Sequence, residues 1–145
     1  METHKVTKGE IMYKGGCCCG TVKFEINSGI ESIVFCHCSQ CRKLQGSAFA
    51  SNGIVDSDNF KITAGQQDLT AHKLTEAQTR YFCKHCGSPI KSENSKMPGK
   101  VRIRLGTIDG DIIEQPQAHI FVGSKANWEN ICDNVPQYDE FEPGR

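Results

Sequence analysis

The pattern of hydrophobic and polar positions predicts many short β-strands and no long helix. Residues 21–26 alternate apolar and polar side chains, which is typical of a strand with one buried face. Similar short apolar or alternating segments, bounded by turn residues, are residues 32–36, 47–55, 60–63, 69–74, 79–83, 101–105 and 118–122. Residues 39–44 can form one helical turn with Ser39 as its cap. The pattern therefore predicts an all-β, or at least β-rich, domain.

Three regions are expected along the chain. Residues 1–12 are mostly polar and predict an N-terminal arm, residues 13–128 form the body, and residues 129–145 form an acidic C-terminal strap. Within the body, residues 92–99 are polar and include Met-Pro-Gly, which predicts an exposed loop. The apolar side chains expected to pin the strap to the body are Trp128, Ile131, Val135, Tyr138 and Phe141.

Composition narrows the class of protein. The chain has 145 residues, a length typical of one domain, with 37% hydrophobic and 23% charged residues. Lysine plus arginine and aspartate plus glutamate number 17 each, so the net charge of zero argues against nucleic acid and anionic membranes as partners. The N-terminus lacks the apolar segment of a signal peptide, so we expect a cytoplasmic protein with reduced thiols.

Eight of the nine cysteines fall into three tight clusters, which indicates metal binding and above all zinc. Cys17 and Cys19 lie in a glycine-rich turn, and Cys83 and Cys86 form a Cys-x-x-Cys-Gly turn of the zinc-knuckle type. Together these four thiolates predict a closed, structural site, because a tetrahedral ion with four sulfur ligands leaves no position for substrate.

The middle cluster supplies Cys36, Cys38 and Cys41, with no fourth cysteine left in a paired motif. Three protein ligands and one exchangeable position are typical of catalytic zinc. Because zinc is thiophilic and lowers the pKa of a bound thiol, the open position suits an incoming thiolate.

Other residues near these motifs leave alternatives open. Cys18, between two expected ligands, is interpreted as a filler, whereas Cys132 in the strap is either a packed thiol or a fourth ligand of the middle site. His37 and His85 lie inside the motifs and are more often neighbours of a metal site than ligands.

Four basic residues also leave their roles open. Arg42 and Lys43 are either a solvent-exposed basic pair or residues that attract an anionic substrate. Arg102 and Arg104 either bind a carboxylate or lie on a solvent-exposed face of the sheet.

Three motifs together resemble the glutathione-dependent formaldehyde-activating (GFA) family, which includes the domain of centromere protein V. They are GGCCCGTV at residues 15–22, CHCSQCRK at 36–43 and FCKHCGS at 82–88, and the end of the body, HIFVGSKANW at 119–128, is also similar. The resemblance covers most of the chain. It departs from the family at Cys18, where another residue type commonly stands.

The resemblance implies an Mss4-like fold of short, coiled β-sheets and two zinc ions per chain. It assigns Cys17, Cys19, Cys83 and Cys86 to the structural ion and Cys36, Cys38 and Cys41 to the catalytic one. It further implies carbon–sulfur lyase chemistry, in which formaldehyde and glutathione give S-hydroxymethylglutathione. Substrate is weakly determined by family, because one fold hosts many reactions.

Three other functions compete with a thiol-dependent lyase. A zinc-stapled binding module without catalysis is favoured by the lack of an identifiable acid or base near the middle motif. Binding to nucleic acid or the cytoskeleton is suggested only by the resemblance to centromere protein V, and the net charge of zero argues against it. Thiol–disulfide exchange is disfavoured because thiolates that bind zinc are poor redox partners.

Overall fold

The computed structural model of the protein describes residues 10–144, so most of the expected arm at residues 1–12 lies outside the described residues. The elements are β1 (Tyr13–Gly16), β2 (Lys23–Ile26), β3 (Ser32–Cys36), α1 (Ser39–Gln45), β4 (Ala50–Asp56), β5 (Phe60–Ala64), β6 (Leu69–Lys73), β7 (Gln78–Cys83), β8 (Pro89–Asn94), β9 (Lys100–Arg104), β10 (Ile108–Asp109) and β11 (Ala118–Ile120). The β-rich prediction is confirmed. Within the described range, no helix is long and apolar enough to span a membrane.

The strands form two sheets. The four-stranded sheet has the order β10-β1-β2-β5, and the seven-stranded sheet has the order β11-β3-β4-β9-β8-β7-β6. Neighbouring strands are antiparallel except β11, which pairs in parallel with β3. The chain therefore returns to the edge of the larger sheet through β11, beside the strand that delivers the middle cysteine motif.

Large apolar side chains from both sheets form the main core. Phe24 and Ile26 come from the smaller sheet, and Ile33, Ile90 and Ile103 come from the larger one. Each of the five is at most 2% exposed. Burial of such side chains contributes about 1.5–3 kcal/mol each before the entropy of ordering is subtracted.

Two local predictions differ from the structure. Residues 92–94 belong to β8 rather than to an exposed loop, and Ser92 is fully buried. Its hydroxyl accepts a hydrogen bond from Arg104 of the neighbouring strand, a cross-strand contact that local polarity does not reveal. The cap of α1 is the side chain of Cys38 rather than Ser39.

The strap is held mainly by its backbone. The amide of His119 donates to the carbonyl of Pro136, and the amide of Tyr138 donates back to His119, both at 2.9 Å. Of the side chains expected to pin it, Trp128 is 67% exposed and does not do so. Tyr138 packs against a small second core beside β11.

Candidate functional site: two cysteine clusters and a cavity

A tight turn between β1 and β2 carries the first pair of cysteines. Cys17 follows β1 directly, and its amide donates to Val22 at 3.0 Å as the chain enters β2. Gly20 closes the turn through a 3.0 Å hydrogen bond to the carbonyl of Cys17. Its φ of 81° lies in the left-handed region that favours glycine. The side chains of Cys17 and Cys19 consequently point to the same side.

A second tight turn between β7 and β8 carries the other pair. Cys83 is the last residue of β7, and the amide of Gly87 donates to its carbonyl at 2.9 Å. Gly87 has a φ of 79°, a conformation that again favours glycine. The turn returns to β8 with the amide of Cys83 bonded to the carbonyl of Ser88 at 3.0 Å, which leaves Cys86 beside Cys83.

The two turns meet and form what we call the four-cysteine cluster, Cys17, Cys19, Cys83 and Cys86. All four sulfurs lie within 4.8 Å of one another. The Sγ of Cys19 is 3.5 Å from that of Cys17 and 3.8 Å from that of Cys83. Sulfurs bound at about 2.3 Å to one tetrahedral zinc are separated by about 3.8 Å, so the donor set fits such an ion.

Two hydroxyl groups support this cluster. The hydroxyl of Ser88 lies 3.2 Å from the Sγ of Cys86 and accepts the amide of Cys18 at 2.9 Å, so it touches both turns. The hydroxyl of Thr21 lies 3.2 Å from the Sγ of Cys19. The hydrogen bond with Thr21 lowers the pKa of Cys19, and the one with Ser88 lowers the pKa of Cys86 to about 5. Both effects favour the thiolate, the form that binds metal.

Sequence reasoning missed these two hydroxyls, although each lies two residues beyond the cysteine that it contacts.

The three-cysteine cluster, Cys36, Cys38 and Cys41, forms where β3 passes into α1. Cys36 ends β3, Cys38 is the residue before the helix, and Cys41 lies in its first turn. Their three sulfurs also lie within 4.8 Å of one another. The amide of Cys41 donates to the Sγ of Cys38 at 3.3 Å, so a sulfur occupies the place usually taken by an oxygen cap.

The sulfurs of this cluster share negative charge. Hydrogen bonds from Cys36 and then Cys41 lower the pKa of Cys38 to about 2. The same contact with Cys38 raises the pKa of Cys36 to about 11, and contacts with Cys36 and Cys38 raise that of Cys41. Three close thiolates repel one another, and a divalent ion bound by all three would relieve that repulsion. The cluster is therefore chemically suited to a soft metal ion.

One side of the three-cysteine cluster faces a cavity of about 340 Å³. The cavity walls come from the start of α1, from the strands of the larger sheet, and from the end of β11 with the strap. The lining residues other than the three cysteines are Ser39, Gln40, Asn52, Gln78, Ser92, Asn94, Arg102, Arg104, Ile120, Phe121 and Phe141. The lining thus includes both polar side chains and large apolar ones.

One of the residues that line the cavity, Phe121, has a strained backbone. Phe121 has a φ of 54°, the one non-glycine residue in the left-handed region among those described. Such a conformation costs of the order of 1 kcal/mol or more and persists only where its surroundings enforce it. The amide of Phe121 donates to Glu140 of the strap at 3.0 Å, and its ring packs edge-on against Phe141 at 4.8 Å.

His37 is not grouped with the three sulfurs, although it stands between two of them in sequence. It is fully buried, and its Nε2 lies 2.8 Å from Nδ1 of His119. His119 in turn places its Nε2 3.1 Å from a carboxylate oxygen of Asp133 in the strap. Burial first, and then the charges of His119 and Lys125, lower the pKa of His37 to about 4, so the ring is neutral at neutral pH.

The Asp133 carboxylate determines the direction of the hydrogen bond at its end of the series His37–His119–Asp133. The Asp133 carboxylate can only accept, so Nε2 of His119 carries a hydrogen, and one further hydrogen lies between Nδ1 of His119 and Nε2 of His37. The amide of His37 also donates to Ile120 at 2.9 Å. Side chain and backbone together fix the segment between Cys36 and Cys38, which neither the spacing nor the polarity of the sequence indicated.

The other possible metal ligands, Cys18, Cys132 and His85, are not grouped with the sulfurs of either cluster. Cys18 is exposed and belongs to neither, and the exposed Sγ of Cys132 contacts the carbonyl of Asn130 at 3.6 Å. His85 places its Nε2 2.8 Å from Asp68. The alternative of Cys132 as a fourth ligand of the middle site therefore has no support in the structure. None of the nine cysteines forms a disulfide bond.

The two pairs of basic residues differ from each other. Arg42 and Lys43 lie in the last turn of α1, where positive charge suits the helix dipole, and they are not among the residues that line the cavity. Arg102 and Arg104 do line it. The interpretation of a wet sheet face is wrong for Arg104, which is only 6% exposed.

Comparison with a family model identifies residues 12–124 as a match to GFA, described as "Glutathione-dependent formaldehyde-activating enzyme". A Halomonas elongata protein is 28% identical, with 83% of this chain and 82% of the relative covered. A Colletotrichum graminicola protein is 31% identical, with 82% and 66% covered. Both carry the name "Putative glutathione-dependent formaldehyde-activating enzyme".

Other relatives are longer than this chain. An Aspergillus flavus protein of the same name is 32% identical over 59% of this chain, and the match spans 47% of that relative. A crystal structure of a Rhodobacter sphaeroides protein superposes with a TM-score of 0.60 at 24% identity and covers 71% of this chain and 97% of that one. That similarity shows a shared fold.

Proposed function

Since the chain belongs to the glutathione-dependent formaldehyde-activating enzyme family, we propose that it catalyses the addition of a thiol to formaldehyde. Glutathione is the proposed thiol and S-hydroxymethylglutathione the product, which places the reaction among those of carbon–sulfur lyases. The names of the relatives support this assignment. None of the nine cysteines forms a disulfide bond, which fits a reducing compartment, so the proposed location is the cytoplasm.

Two zinc ions per chain are the proposed cofactors. Cys17, Cys19, Cys83 and Cys86 would hold a structural ion, and the sulfur spacings of 3.5 and 3.8 Å support that assignment. Cys36, Cys38 and Cys41 would hold a catalytic ion, and their three sulfurs within 4.8 Å of one another support it. Cysteine thiolates are the ligands that zinc prefers.

One observation carries the proposal above the others. The three-cysteine cluster forms part of the wall of the 340 Å³ cavity, so a small thiol that enters this space would come beside an ion held by the three sulfurs. The four-cysteine cluster, by contrast, already provides four sulfurs. An incoming thiol is therefore assigned to the three-cysteine cluster.

The residues of the chain set up the reaction. Cys36, Cys38 and Cys41 would hold the zinc ion, which as a Lewis acid would lower the pKa of an incoming thiol so that its proton is lost to water at neutral pH. The cavity holds that thiol and formaldehyde together, so that the reaction becomes effectively intramolecular. The thiolate sulfur bonds to the carbonyl carbon, and the C=O electron pair moves to oxygen, which then takes up a proton. No His, Asp or Glu is among the described residues lining the cavity, so water is the assigned proton source.

A Cys38→Ser substitution tests this proposal, with Cys132→Ser as the matched control. Removal of one of the three ligands should reduce the catalysed rate, measured after subtraction of the spontaneous reaction, about hundredfold or more. It should also lower the zinc content from about two ions to about one per chain. Cys132 belongs to neither cluster, so its variant should behave as wild type. Full activity of Cys38→Ser would contradict the proposal. If the wild type binds two zinc ions yet never exceeds the spontaneous rate, the chain is a non-catalytic zinc-stapled module.

A further inference from the structure

Arg104 is a buried cation beside the three-cysteine cluster. It ends β9, its exposed fraction is 6%, and it lines the same cavity as the three sulfurs. Burial lowers the pKa of Arg104 to about 10, so the guanidinium stays charged at neutral pH. A buried charge is costly unless an opposite charge or hydrogen bonds compensate for it.

The partners of Arg104 in the protein are neutral. Its Nη1 donates to the side-chain oxygen of Asn52 at 2.7 Å, and its Nη2 donates to the hydroxyl of Ser92 at 3.2 Å. Its Nε has no hydrogen-bond partner, and no carboxylate pairs with Arg104 among residues 10–144. Two of the five N–H donors of the guanidinium are thus engaged, and both contacts fix the plane of the group before any ligand arrives.

The surroundings of Arg104 favour an anion. The cavity also receives Arg102 and the amides of Gln78 and Asn94, and its described lining contains no acidic side chain. The lining of the cavity therefore combines hydrogen-bond donors and the positive charges of Arg102 and Arg104 with the apolar side chains of Ile120, Phe121 and Phe141.

Two kinds of anion can compensate for the positive charge of the Arg104 guanidinium. The thiolates of the three-cysteine cluster are one, since Cys41 and Cys36 raise the pKa of Arg104 against the stronger effect of burial. They cannot use the fork of donors, because no sulfur is within hydrogen-bond distance of the guanidinium in the structure. A carboxylate matches that planar fork and can accept two hydrogen bonds at once.

We propose that Arg104 is the specificity-determining residue of the cavity and binds a carboxylate of the thiol whose sulfur lies at the three-cysteine cluster. The inference rests on the proposed function for the position of that sulfur. Asn52 and Ser92 act as positioning residues that hold the guanidinium in place. The preferred substrates are accordingly thiols with a carboxylate, and neutral thiols of equal length bind less well.

Calorimetric binding to the zinc-loaded full chain tests the proposal without requiring turnover. Two matched pairs of thiols are used, 3-mercaptopropionate against 3-mercaptopropionamide, and glutathione against glutathione diethyl ester. The wild type should bind the carboxylate member of at least one pair about tenfold more tightly, as expected for a charge-assisted hydrogen bond. Arg104→Gln should reduce that preference to about twofold or less, and Arg104→Lys should retain part of it.

Arg80→Gln is the matched control, because Arg80 lies in the same sheet on β7 and carries the same charge but is not among the residues lining the cavity. It should keep the preference. Equal binding within both pairs by the wild type, or an unchanged preference in Arg104→Gln, would overturn the proposal. If Arg104→Gln loses zinc, the wild type and Arg104→Lys decide the outcome.

The same experiment separates this inference from the proposed function. The wild type could show a carboxylate preference that depends on Arg104 and yet never accelerate the reaction with formaldehyde. That result would support the carboxylate site and contradict the proposed catalysis. Turnover of the thiols with and without a carboxylate at equal apparent affinity would instead support the catalysis and remove the carboxylate site.

Discussion

Among single residues, Ser88 connects the two halves of the four-cysteine cluster. Its hydroxyl is within hydrogen-bond distance of the Cys86 sulfur and of the Cys18 amide, which belong to different turns and different sheets. A thiolate that accepts a hydroxyl hydrogen bond is stabilised relative to the thiol, so Ser88 should support both the geometry and the charge of the proposed metal ligand.

A Ser88→Ala substitution should weaken zinc retention at this cluster and lower the free energy of unfolding by about 1 kcal/mol, the usual contribution of one hydrogen bond. The measurement is competition with a chelator, together with denaturant unfolding of the zinc-loaded protein. Ser95→Ala is the control, since Ser95 is exposed and no side-chain hydrogen bond is described for it. Identical zinc loss from both variants would show that the Ser88 hydroxyl does not support the cluster.

At the scale of elements, the strap and β11 hold the segment that carries the middle motif. Asp133 of the strap contacts His119 of β11, and His119 contacts His37 between Cys36 and Cys38. The hydrogen bond with His119 lowers the pKa of Asp133 below its ordinary value. A carboxylate with a depressed pKa in the folded state stabilises the fold above its unfolded pKa, and that stability is lost as the pH falls through the folded pKa.

An Asp133→Ala substitution should therefore reduce the free energy of unfolding at pH 7, and the difference from wild type should shrink as the pH falls below about 4. Denaturant unfolding of both proteins over that range provides the measurement. Both lose metal ligation in acid, so the difference between them at each pH is the relevant quantity.

Asp139→Ala serves as the control, because Asp139 is an exposed acidic residue of the same strap for which no side-chain hydrogen bond is described. It should change stability little at any pH. A deficit in Asp133→Ala that stays constant down to pH 3, or one that Asp139→Ala reproduces, would contradict the role given to the contact between Asp133 and His119.

On the scale of the whole molecule, the four-cysteine cluster joins the two sheets. Cys17 and Cys19 lie between β1 and β2 of the smaller sheet, and Cys83 and Cys86 lie between β7 and β8 of the larger one. The three-cysteine cluster lies instead on the larger sheet, where β3 meets α1. One cluster is thus placed to stabilise the fold and the other to face a cavity.

The sequence predicts which cysteines lie together, because each cysteine motif has a short, recognisable spacing. The bounds of β3 and the spacing within each motif depend on neighbouring residues, and the structure has the same β3 and brings the same sulfurs together. The burial of Ser92 and Arg104 depends on pairing between β4, β8 and β9 across the sheet, which a single sequence does not reveal. The chain from His37 to Asp133 likewise joins residues far apart in sequence.

Zinc K-edge X-ray absorption of the purified protein, before and after addition of glutathione, tests the central claim most directly. One site with four sulfurs and one with three predict an average of about 3.5 sulfurs per zinc, which should rise to about 4 when the thiol binds. A value of about 4 before addition, or a value of about 3.5 that glutathione leaves unchanged, would contradict an open three-cysteine zinc site.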